Sequence, residues 1–104
     1  MDYEKFISER ISRLRVQKNV SARDMSLTIG QSENYINTIE NKRNLPSMTV
    51  FFYICEYFDI TPRDFFDEEK SNPKLLNDYI AVLKQLKEDE VFDLMNIALK
   101  LLKK

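Results

Sequence analysis

Apolar residues along the first part of the chain recur at helical spacing, and polar residues interrupt them at regular points. Phe6, Ile7, Ile11, Leu14 and Val16 follow this period with Arg and Lys on the outer face, which predicts a helix over about 3–18 that stops at Asn19. Ser21 is a good N-cap for a short second helix, 22–29, in which Met25 and Ile29 lie four apart and share a face. Gly30 ends it where a left-handed residue is cheapest. Ser32 is the expected cap of a third helix, about 33–41, whose apolar stripe is only Tyr35, Ile36 and Ile39. Ser47 after Pro46 opens a fourth, 48–58, and its apolar density (Val50, Phe51, Phe52, Ile54, Cys55, Tyr57, Phe58) marks it as the centre of a core. Thr61-Pro62 is a cap followed by proline at the first helical position, and starts a fifth short helix through Phe66.

The polar stretch Asp67–Lys74 reads as a linker. Beyond it two amphipathic stripes follow, one from Leu75 to Leu86 and one from Val91 to Leu102. The acids in "KEDE" at 87–90 favour a new helix start through the helix dipole, so two helices are expected in preference to one long one. The second stripe spans too wide an arc for a surface helix and needs a partner, either the front bundle or a second copy of itself.

Composition narrows the class. With 104 residues, 43% hydrophobic, one Gly and three Pro, the chain fits one all-α domain with a small appendage. The single Cys55 lies in an apolar run and reads as a small core residue. The charged N-terminus lacks a signal core, and no stretch approaches the ~18 apolar residues of a membrane span, so a cytoplasmic protein with no membrane association is expected. Enzymatic chemistry finds no support: there is no histidine, no metal-ligand cluster and no glycine-rich phosphate loop, and no cofactor is expected.

Net charge is −1, yet its distribution is uneven. From Lys5 to Ser47 eight Lys/Arg face four Asp/Glu, a net of +4, whereas the chain from Met48 onward is acidic. This asymmetry points to an anionic partner for the first half.

Two short helices joined by a turn that contains Gly30 have the local form of a helix-turn-helix. Over residues 7–66, the order and spacing of Leu14-Arg15, Ser21, Met25, Gly30, Ser32, Ile36, Ile39-Glu40 and Pro46-Ser47 resemble the phage-repressor-like helix-turn-helix domain of the xenobiotic-response-element family. The fold class this resemblance implies is an all-α, five-helix repressor-like DNA-binding bundle (1–66); it does not cover the tail, where the residue pattern adds a linker (67–74) and a C-terminal extension of two helices (75–104) for dimerisation or capping. It also implies double-stranded DNA as partner, with helix 33–41 in the major groove and helix 22–29 across the phosphates.

By the same resemblance, Ser32, Glu33, Asn34, Asn37 and Thr38 occupy base-reading positions. Asn34 or Asn37 suits adenine, Glu33 a cytosine N4 amino group, and Thr38 a thymine methyl, so a site rich in A·T steps is expected. Arg23, Asn41, Lys42, Arg43 and Ser47 are candidates for phosphate contacts, while Tyr35 either reaches a phosphate or packs. Arg15 and Glu40 are expected to form a bidentate structural pair. Two positions depart from the family pattern: Ala22 stands where a phosphate-binding glutamine is usual, and Lys42 where glycine is usual. A left-handed lysine costs on the order of 1 kcal/mol, so either Asn41 takes that conformation or the loop differs. A homodimer through 75–102 on a pseudo-palindromic site is one expectation; a protein-interaction module on the same fold, such as an antitoxin or anti-activator, is the other.

Overall fold

Helix starts in the N-terminal half follow local capping chemistry closely. The computed structural model describes residues 2–68 and 71–103. Among them lie α1 (Tyr3–Lys18), α2 (Ala22–Thr28), α3 (Tyr35–Glu40), α4 (Met48–Phe58), α5 (Pro62–Phe66), α6 (Pro73–Leu83) and α7 (Glu88–Leu102), with no strand. The side chains of Asp2, Ser21, Ser47 and Thr61 each accept a hydrogen bond from the backbone N–H three residues on, at the starts of α1, α2, α4 and α5. Asp64 completes a capping box with Thr61. The protein is all-α.

The ends of α1 to α4 share one device. Asn19, Gly30, Lys42 and Asp59 all have positive φ, at 59°, 80°, 60° and 55°. At each, its own N–H and that of the next residue turn back to carbonyls three and five residues earlier, as in Lys42 N–H to Ile39 O (2.9 Å) and Arg43 N–H to Thr38 O (3.1 Å). This is the Schellman arrangement, in which a left-handed residue lets the chain reverse while satisfying the last carbonyls. Only one of the four is glycine, so three side chains bear the left-handed conformation. Lys42 itself takes it, and Asn41 stays near helical at φ −87°.

The chain divides into two compact units, Met1–Lys74 and Leu75–Lys104. In the first, Ile11 and Leu14 of α1, Met25 of α2, Ile36 and Ile39 of α3, and Phe51, Ile54, Cys55 and Phe58 of α4 form one buried cluster with Ile29, Ile60 and Phe65. Phe65 meets Phe6 and Phe51 edge to face, at centroid distances of 6.4 and 5.1 Å. Two residues assigned to the core by spacing are instead exposed: Val16 and Phe52. Within the stretch expected as a linker, residues 71–74 make contacts inside the first unit. Pro73 is buried and opens α6, Gln17 donates to Ser71 O (2.8 Å), and Lys74 pairs with Asp59 (2.9 Å). Glu69 and Lys70 of that stretch lie outside the described residues. The second unit holds most of α6 and all of α7, which starts at Glu88 as the acidic run predicts.

One basic residue is inside rather than on the outer face. Arg10, 2% exposed, donates Nε to Phe65 O (2.9 Å) and Nη2 to Asp64 O (3.0 Å) and Asp67 O (3.3 Å), so it holds the terminal carbonyls of α5. Burial, with Arg13 nearby, lowers its pKa. Its charge therefore does not belong to the surface excess counted from composition. The spacing carried a signal: Arg10 lies three residues after Ile7 and four before Leu14, on the apolar stripe.

Candidate nucleic-acid interface

The third helix is six residues long, too short to stand without tertiary support. Two side chains, Ile36 and Ile39, are buried in the core, and Tyr35 packs half-buried against it, its phenol pKa raised by burial. The expected start at 33 and cap by Ser32 are both displaced. Asn34 occupies the cap position with no side-chain cap hydrogen bond, and Ser32 contributes only its carbonyl, to Tyr35 N–H at 3.0 Å.

The capping acceptor comes from α2. Ser26 is fully buried; its Oγ donates to Ala22 O (2.6 Å) and accepts from Ile36 N–H (3.0 Å). A hydroxyl from one helix thus satisfies an orphan donor at the start of the next. Sequence reasoning missed Ser26, because a serine within a seven-residue helix carries no local mark of serving a different one.

At the other end, Arg15 Nε and Nη2 donate to Glu40 Oε2 (2.7 Å) and Oε1 (3.0 Å), and Nη1 donates to Val20 O (2.9 Å). The side chains are 20% and 13% exposed. The hydrogen bond to Glu40 raises the pKa of Arg15. This fork joins α1, the turn before α2 and the end of α3, so α3 is held at both ends by groups outside it.

What remains outward is polar. Ser32, Glu33, Asn34 and Asn37 are exposed, and Thr38 is half-buried with its hydroxyl donating to Asn34 O (2.9 Å). Asn41 Nδ2 donates to Asn37 O (2.9 Å) and Asn37 Oδ1 (3.2 Å), which orients the Asn37 amide. Around this face lie exposed cations. Arg23 Nε donates to Glu33 Oε2 at 3.1 Å, while Lys42 and Arg43 line a cleft of about 330 Å³ with Asn44, Leu45 and Glu4. Ser47, though exposed, has its hydroxyl engaged by Val50 N–H at 3.2 Å. Ala22 is half-buried against the core.

A helix-turn-helix domain family model matches the chain over residues 8–71, more than half its length. The chain belongs to the helix-turn-helix domain family. No curated protein and no solved structure matches it.

As a helix-turn-helix protein it is a DNA-binding regulator in kind. Within the helix-turn-helix unit, α2, the turn at Gly30 and α3 form the motif. Gly30 needs no space: a Cβ there would meet nothing within 4 Å, so its positive φ alone accounts for the residue. Among the described residues no cluster of His, Cys, Asp and Glu could hold a metal ion, and no helix is long and apolar enough to cross a membrane.

Proposed function

We propose that this protein is a sequence-specific transcriptional regulator of the xenobiotic-response-element type, which reads the major groove with the exposed face of α3. The observation that carries the reading is the division of labour on that helix and the turn that leads into it. Ile36, Ile39 and Glu40 are committed to the scaffold, and Glu33, Asn34 and Asn37 point outward with groups that match base edges. Thr38 presents its methyl once its hydroxyl is engaged along the helix. Ser32 stands at the edge of the same face. Lys42 and Arg43, and with them Arg23, Asn41 and Ser47, flank it as phosphate contacts that orient without specifying. Half-buried Tyr35 fits a packing role.

The regulator acts as a homodimer on a pseudo-palindromic site. A single unit with a handful of phosphate contacts binds weakly, and pairing doubles them. In the second unit Leu75, Tyr79, Val82, Phe92, Met95 and Leu102 are exposed, an apolar surface suited to a second copy. A second reading, a protein-interaction module, draws on the first unit, where Met48, Phe52, Tyr53 and Phe66 are also exposed large apolar residues.

Selection of bound duplexes from a random pool at about 0.15 M salt separates the two. Recovery of a pseudo-palindrome with half-sites about 10 base pairs apart supports the dimeric regulator. No enrichment from a folded, dimeric protein refutes it in favour of the interaction module.

A further inference from the structure

Glu33 is an odd residue to find in a face that meets phosphates, since it brings a negative charge to a polyanion. Its position explains how it is tolerated. Arg23, the second residue of α2, donates Nε to Glu33 Oε2 at 3.1 Å across the turn, with the two side chains 67% and 56% exposed. The pair is net neutral where a lone Arg23 would be cationic. It is weakly held, because both groups remain largely in water. It also spans the motif: one member sits in the first turn of α2, the other in the turn two residues before α3.

Resting on the DNA-reading function proposed above, we infer that Glu33 is an intramolecular stand-in for phosphate that withholds Arg23 from DNA of the wrong sequence, making the Arg23–Glu33 pair a specificity filter. Only cytosine N4 and adenine N6 offer a hydrogen-bond donor on the major-groove edge. Opposite such a donor, the Glu33 carboxylate turns to the base and the guanidinium passes to a phosphate. Opposite guanine or thymine, Glu33 meets acceptors and keeps Arg23, so the complex loses a phosphate contact and gains a repulsion. The exchange makes one phosphate contact conditional on one base.

The test is DNA binding by fluorescence anisotropy across a salt series, using the full chain, the selected duplex and a random duplex. Glu33→Gln is expected to tighten random-duplex binding by up to about fivefold. It should also steepen the slope of log K against log salt by about 0.9, as one more phosphate is neutralised, and so narrow discrimination between the two duplexes. In an Arg23→Ala background the same substitution should leave the slope unchanged, because no guanidinium is released. Wild-type binding to both duplexes with no change in slope or random-duplex affinity in Glu33→Gln overturns the filter and leaves DNA reading intact. An equal steepening in the Arg23→Ala background also overturns it, reducing Glu33 to a diffuse negative charge. No wild-type binding to any duplex at any salt overturns DNA reading, and the filter with it.

Discussion

Removing the Ser26 hydroxyl should loosen the start of α3 while leaving α2 in place. Ser26 and Ile36 are both 0% exposed, so in Ser26→Ala the Ile36 N–H loses its 3.0 Å acceptor in a place water does not reach. A buried donor left without a partner costs about 1–3 kcal/mol, and loss of a helix cap, here the same interaction, about 0.5–2 kcal/mol. The 2.6 Å bond to Ala22 O adds little, because that carbonyl keeps its place in the helix. Alanine regains up to about 0.5 kcal/mol of helix propensity within α2. The net expectation is a loss of about 1–2 kcal/mol, read as a lower urea midpoint at unchanged m-value. The more specific assay is amide exchange at Ile36, slow in the wild type and faster in the variant. Equal protection at Ile36 together with a stability change below about 0.5 kcal/mol would refute the cross-helix cap.

The Arg15–Glu40 fork should show the asymmetry of a partly buried pair. Glu40→Gln is expected to lose about 1–3 kcal/mol, less than a fully buried pair because both side chains retain some solvent, whereas replacing both by apolar residues should cost less than either single change. Lys42→Gly should raise stability by up to about 1 kcal/mol through relief of the left-handed lysine, yet reduce the salt slope of DNA binding by about one; calorimetry and binding would then move in opposite directions. For Arg10→Met, a loss of at least about 2 kcal/mol is expected in chemical denaturation, because the terminal carbonyls of α5 lose a charged donor. Burial pushes the Cys55 thiol up to about 11, so folded protein at pH 8 should resist iodoacetamide and react at the rate of unfolding.

Helix one was legible from its apolar period, and helices two, four and five because their starts are local events: Ser21, Ser47 and Thr61 each satisfy a donor three residues away. The start of α3 was not legible, since Ser26 lies ten residues upstream of the amide it serves and acts only once α2 and α3 are packed. Ser32 offered the right chemistry in the wrong place, its side chain playing no part in the cap. Burial of Arg10 is of the same kind, readable as a position on the stripe but not as a need, because the carbonyls it satisfies are 54 and 55 residues away. Lys42 shows the reverse, a local rule overridden: the turn geometry demands a left-handed residue, and lysine accepts it. The polar face of α3 was identified by resemblance, and the side-chain couplings Arg23–Glu33 and Asn37–Asn41 within it emerge only from geometry.

The dependence of α3 on Ser26 at one end and Arg15 at the other bears on redesign. A recognition helix with its own caps can be cut out and grafted into another scaffold; α3, the recognition helix proposed above, is six residues long with borrowed terminal partners and cannot travel alone. New target sequences are best sought by randomising positions 33, 34, 37 and 38 while Ser26, Ile36, Ile39, Glu40 and Arg15 stay fixed. Such a library varies the outward face and leaves the mounting untouched, so loss of binding in its members would reflect recognition more than misfolding.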